Sequence, residues 1–93
     1  LGLVTDGPRP ILARMGPHEV AIDPPPVEVV NPIGSGDCLL AGIVDAWLAR
    51  AEPRDALKRG VACSLVNVTV WDAGAIDPAA IAPLQDRLQI RDL

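Results

Sequence analysis

The hydrophobic pattern of this chain changes period once, and the change falls on one short turn, Asn31-Pro32-Ile33-Gly34-Ser35-Gly36-Asp37. Before it lie short apolar runs broken by Pro and Gly. Leu1 to Thr5 reads as a buried strand closed by Asp6-Gly7-Pro8. Ile11 to Met15 and the alternating run His18 to Ile22 read as a hairpin with Gly16-Pro17 at its tip. Pro24-Pro25-Pro26 forces an extended connector, and Val27 to Val30 reads as a further strand with a buried valine pair. After the turn, Leu39, Leu40, Ile43, Val44, Trp47 and Leu48 recur at helical spacing, which predicts a helix from near Asp37 to near Ala51. A second helix starts at Glu52-Pro53 and becomes apolar on nearly every side beyond Gly60, as a helix does where it is buried. Asp77-Pro78 caps a third through about Leu88, with Ile81, Leu84 and Leu88 on one face. Short strands followed by three helices indicate the α/β class.

A chain of 93 residues is one small domain at most, and a chain this short buries only roughly 60–65% of its unfolded surface. At 49% hydrophobic and 22% charged it is globular rather than disordered. Trp47 and Trp71 are its only aromatic residues, and there are 10 prolines, so a core must be assembled from Val, Leu, Ile and Ala. The chain also opens inside an apolar run without an initiator Met. The expectation is a single partial domain, residues 1–93, that packs against more protein. A net charge of −4 argues against nucleic acid as a partner, which needs a basic footprint. No segment reaches the ~20 apolar residues of a membrane span. Cys38 and Cys63 lack metal-ligand spacing, which excludes a recognisable zinc site or disulfide framework and fits a reducing, cytoplasmic setting.

The chemistry is concentrated in the turn where the period changes. Gly34 and Gly36 flank Ser35 directly before an amphipathic helix. Glycine opens backbone dihedrals closed to other residues and removes the side chain that would fend off a ligand. The first turn of the helix adds unpaired N–H groups and the positive end of its dipole. Together these make an anion hole, with Asp37 at its mouth. A carboxylate there competes with a bound anion unless its task is to take a proton from an attacking hydroxyl. The plain alternative is an ordinary glycine turn with an Asp near a helix start. No Lys follows the glycines, so the turn is not a Walker A loop, and the third glycine of a dinucleotide fingerprint is missing.

The segment Asn31-Pro32-Ile33-Gly34-Ser35-Gly36-Asp37, followed by a helix with an Ala41-Gly42 step, resembles the second signature of the ribokinase-like (PfkB-type) carbohydrate kinases, and is most like the phosphofructokinase and tagatose-6-phosphate kinase branch. Val4-Thr5-Asp6-Gly7 is similar to the family's strand-end motif that contacts ATP. Ala62 to Thr69, with Asn67, resembles the helix lining the adenine pocket, and Gly74-Ala75 the loop after it. The resemblance implies the C-terminal portion of a three-layer α/β/α fold. It implies ATP-dependent transfer of a phosphoryl group to a hydroxyl of a sugar or sugar phosphate, with ATP and Mg²⁺ as cofactors. Asp37 would be the catalytic base, and Gly34, Ser35 and Gly36 the anion hole. Thr5, Asp6, Gly7, Asn67, Gly74 and Ala75 would contact ATP; no residue here would ligate metal. The sugar-binding half and its lid are absent, so the resemblance implies that these residues alone are an incompetent kinase. A homodimer is left open, since family dimers usually form through that lid, which these residues lack. The alternative is a non-catalytic nucleotide- or anion-binding module, or an inactive fragment.

Departures from the pattern carry expectations of their own. Pro10 stands where the family's ATP loop carries Gly, which removes an N–H donor and fixes a dihedral. Asn31 stands where ribokinases carry an Asp linked to a monovalent-cation site, which weakens the case for K⁺ activation. Asn67 could equally satisfy buried helix neighbours or line the nucleotide pocket. Cys38 reads as a small core residue and His18 as a surface residue; Arg9 reads as a solvated turn residue or one that reaches an ATP phosphate, and Trp47 and Trp71 as core or interface anchors, with stacking near the adenine also open to Trp71.

Overall fold

A computed structural model describes residues 2–5 and 9–93. Its elements run β1 (Gly2–Val4), β2 (Ile11–Met15), β3 (His18–Ile22), α1 (Ser35–Leu48), α2 (Pro53–Val68), α3 (Pro78–Arg87) and β4 (Ile90–Asp92). The strands form one antiparallel sheet in the order β1-β2-β3-β4. The hairpin is the expected one. Met15 pairs with His18 across the two-residue turn, and Gly16 at its first position has φ +60°, a conformation that tight hairpin turns require and glycine adopts freely.

One face of the sheet, with Ile11, Ala13, Val20 and Ile22, packs on Leu39 and Ile43 of α1 and on Leu57, Val61 and Ala62 of α2. Leu88, just past α3, closes the same cluster. As its sequence predicts, α2 is buried beyond its first turns, through Gly60, Val61, Ala62, Cys63, Val66 and Asn67. Asp77 caps α3 by accepting the Ala79 amide at 3.0 Å. The last strand, β4, lies at the edge beside β3. The Arg91 guanidinium holds it with two bonds to the Asp23 carboxylate at 2.7 and 3.0 Å, and Arg54 of α2 pairs with Asp92.

Three expectations are corrected. Val27 to Val30 is not a strand: following three prolines it finds no neighbouring ladder, and the Val30 and Asn31 amides donate instead to the Val68 carbonyl at the end of α2, at 2.6 and 3.1 Å. Val29 and Val30 are accordingly exposed rather than a buried pair. The apolar stripe of α1 is wider than the surface available to cover it. Leu39 and Ile43 enter the core, while Leu40, Val44, Trp47 and Leu48 stay exposed, Trp47 by 72%. Trp71 is also exposed, so neither tryptophan anchors the core described here.

Candidate active site

The turn between the connector and α1 is built by its own side chains. Asn31 Oδ1 accepts the Ile33 amide at 3.1 Å, a local turn that asparagine forms readily, and its Nδ2 donates to the Trp71 carbonyl at 2.8 Å. Gly34 then takes φ +83°, a left-handed conformation, as the residue preceding the first turn of α1. The Ser35 hydroxyl donates to the Pro32 carbonyl at 2.7 Å, and the Ser35 amide reaches the same oxygen at 3.3 Å. The regular ladder of α1 begins only with the Cys38 amide on the Gly34 carbonyl at 2.9 Å. Between these points, no backbone carbonyl among the described residues takes the amides of Gly36 or Asp37. They lie at the positive end of a 14-residue helix.

Ser35 therefore departs from the expected anion hole, because its N–H is already directed to the Pro32 carbonyl. The spare donors sit one residue further along. A Cβ on Gly36 would meet nothing within 4 Å, so this glycine has no packing role and leaves open space on its side of the helix. The Asp37 side chain is exposed and caps no backbone group. Its negative charge is felt by Cys38, whose thiol is raised above the usual range first by burial and then by Asp37. Cys38 and Cys63 are both buried free thiols, as the sequence suggested.

Asn67 reaches the turn from α2. Its side chain is 0% exposed and fully bonded: Nδ2 donates to the Ile33 carbonyl at 2.9 Å and to Ser35 Oγ at 3.4 Å, and Oδ1 accepts the Gly74 amide at 2.7 Å. Of the two roles its sequence position left open, it fills the buried structural one and turns no free polar atom toward a ligand. Gly74 has φ +79°, and the 72–75 loop closes with the Ala75 amide on the Asp72 carbonyl at 3.1 Å. Ile33, Ser35, Asn67 and Gly74 thus form one bonded cluster, with Gly36 and Asp37 following Ser35 in the first turn of α1. Thr5 lies exposed at the end of β1, away from the bonds of that cluster, and Asp6 and Gly7 lie outside the described residues.

Sequence reading missed two features. One is the use of the Pro32 and Ile33 carbonyls, which no residue type announces. The other is a cleft of about 280 Å³ between the connector, α2 and α3, lined by Val27, Leu65, Val66, Thr69, Leu84 and Arg87 among others. Asn67 points from α2 toward the turn before α1, while its near neighbours Val66 and Thr69 line the cleft.

A family model described as pfkB family carbohydrate kinase matches residues 2–80. Among solved structures, a Staphylococcus aureus protein assigned as a phosphofructokinase superposes with a TM-score of 0.88 at 24% identity, over 98% of this chain and 29% of its own. A Thermotoga maritima protein assigned as a 1-phosphofructokinase gives 0.82 at 19% identity, over 98% and 29%. Escherichia coli phosphofructokinase-2, solved with potassium, gives 0.80 at 18% identity, over 90% and 27%. The small sheet and three helices are thus a piece of the ribokinase-like α/β fold, and the chain spans less than a third of the length of these structures.

Proposed function

The chain belongs to the pfkB family of carbohydrate kinases, and from that premise we propose that it is the nucleotide-binding, catalytic part of a cytoplasmic enzyme moving a phosphoryl group from ATP to a hydroxyl of a sugar or sugar phosphate. One observation carries the reading: the Gly36 and Asp37 amides, which no backbone carbonyl among the described residues takes, lie beside an exposed carboxylate, with open space at the Gly36 Cβ position.

The residues present fit a triphosphate. The Gly36 and Asp37 amides hold the transferred phosphoryl oxygens, with the α1 dipole behind them. The Asp37 carboxylate takes the proton of the acceptor hydroxyl as its oxygen bonds to phosphorus and the bridging oxygen leaves with ADP. Gly34 shapes the turn, and Ser35 holds it by bonding Pro32. The apolar cleft beside Val66 and Thr69 takes the base, and Gly74, Ala75, Thr5, Asp6 and Gly7 contact the nucleotide, Asp6 and Gly7 lying outside the described residues. Mg²⁺ supplies charge neutralisation to the phosphates in such transfers. Among the described residues, no group of three or more His, Cys, Asp or Glu gathers to hold a metal.

The test is Asp37→Asn in the complete kinase. Loss of the base lowers kcat by about 10²- to 10⁴-fold while the KM for ATP stays near that of the parent. An unchanged kcat rejects the assignment. The short span relative to the superposed structures supports a second reading for these residues alone, a nucleotide- or phosphate-binding module without transferase activity. It predicts phosphate binding with no turnover.

A further inference from the structure

The first amides of a helix beginning at Ser35 have no partner inside the helix, and they stay open unless the carbonyl four residues back comes within reach. For Gly36 that carbonyl belongs to Pro32, and for Asp37 to Ile33. Both oxygens are taken by other donors. The Ser35 hydroxyl and amide hold the Pro32 carbonyl at 2.7 and 3.3 Å, and Asn67 Nδ2 holds the Ile33 carbonyl at 2.9 Å.

We infer that Asn67 is a positioning residue that keeps the Asp37 amide available by diverting the Ile33 carbonyl, and that it ties the setting of this turn to the 72–75 loop through Gly74. The inference rests on the reading of Gly36 and Asp37 as phosphate donors. Its geometry is specific. A side-chain amide has donor and acceptor ends, and Asn67 uses both across a gap between two segments that share no backbone bond with each other: Nδ2 on the Ile33 carbonyl, Oδ1 on the Gly74 amide at 2.7 Å. The side chain is wholly buried, so water does not compete for either bond. Gly34 also lies close to this loop, since a Cβ added there would sit 3.4 Å from Ala73 Cβ. A shift of the 72–75 loop therefore acts on the bond that holds the Ile33 carbonyl away from the Asp37 N–H.

The test follows the amide resonances of Gly36 and Asp37 while the protein is titrated with inorganic phosphate, in the parent, in Asn67→Ala and in Asn67→Asp. In the parent, phosphate shifts both resonances and the Asp37 amide exchanges freely with solvent in its absence. In Asn67→Ala, the released Ile33 carbonyl captures the Asp37 amide, whose exchange slows, and phosphate affinity falls by about tenfold or more, as for a lost oriented donor. Asn67→Asp keeps an acceptor for Gly74 but has no donor for Ile33, and shows the same loss with the Gly74 resonance unmoved. Folded variants that bind phosphate like the parent, with an unprotected Asp37 amide, overturn the inference and leave the phosphate site standing. A parent whose Gly36 and Asp37 resonances ignore phosphate rejects the site itself, and the inference with it. Should both variants unfold, the parent alone decides: phosphate slows exchange of the Gly74 amide if the two segments are tied, and unchanged Gly74 exchange refutes the tie.

Discussion

Gly42 and Gly60 face each other where α1 crosses α2, so closely that a Cβ on Gly42 would lie 2.8 Å from the Gly60 Cα, 2.9 Å from Cys63 Sγ and 3.1 Å from the Arg59 carbonyl. A Cβ on Gly60 would in turn lie 2.6 Å from the Leu39 carbonyl. This contact sets how near the turn bearing Gly36 and Asp37 comes to Asn67, because all three ride on the two helices that meet there.

Gly42→Ala is therefore expected to destabilise the protein by about 1–3 kcal/mol, the usual cost of overpacking, despite the better helix propensity of alanine. The obstacles are mainly backbone, which cannot rotate away. Chemical denaturation checks it, and a variant as stable as the parent contradicts the close crossing.

Gly36→Ala should separate stability from binding. Nothing lies within 4 Å of the new methyl group, and the site is helical, so stability rises by up to about 1 kcal/mol. Phosphate affinity falls, because the methyl group occupies the open space over the spare amides. Gly34→Ala behaves differently. At φ +83° it is strained by roughly 1–2 kcal/mol and loses both stability and binding. Denaturation curves paired with phosphate titrations distinguish the two glycines.

Filling the cleft should affect the nucleotide base and spare the phosphate. Ala80 is exposed on the cleft's α3 wall, and Ala80→Trp places a ring in the space beside Val66 and Thr69. The expected result is weaker ATP binding with inorganic phosphate binding unaltered, measured by calorimetry. Equal weakening of both, or of neither, removes the cleft from the nucleotide site.

Burial pushes both thiols up: for Cys63 the largest cause is desolvation, offset in part by Arg59, and for Cys38 desolvation is followed by Asp37. A group whose folded value is raised contributes stability that is intact below its unfolded value and lost as pH climbs toward the folded one. The protein should thus lose stability above roughly pH 8.5, where unfolded thiols begin to ionise. Melting temperatures across that range check this, and Cys63→Ala should flatten the loss. A melting temperature that holds steady up to pH 10 or so, well above the usual thiol value, contradicts it.

Much of this arrangement is legible in the sequence because its causes are local. Gly16-Pro17 between two short apolar runs is enough for the hairpin, Asp77-Pro78 for the start of α3, and the glycines around Ser35 for a turn entering a helix. What escaped depends on partners distant along the chain. Val27 to Val30 has the composition of a strand, yet its amides are claimed by Val68, 38 positions beyond Val30. The apolar stripe of α1 gave no indication that only Leu39 and Ile43 would find the sheet. Ile90 to Asp92 is too short to signal a strand until Asp23 and Arg54 hold it to the sheet and to α2. Asn67 was visible as a polar residue in an apolar helix, but its three bonds, to residues 33, 35 and 74, exist only in the folded chain.

A crystal structure with a non-hydrolysable ATP analogue bound to the complete kinase tests the central claim most directly. The account predicts terminal phosphate oxygens about 2.7–3.1 Å from the amide nitrogens of Gly36 and Asp37, with the Asp37 carboxylate facing the open side where an alcohol would enter. A terminal phosphate held elsewhere, with those two amides bonded to the protein's own carbonyls, would contradict it.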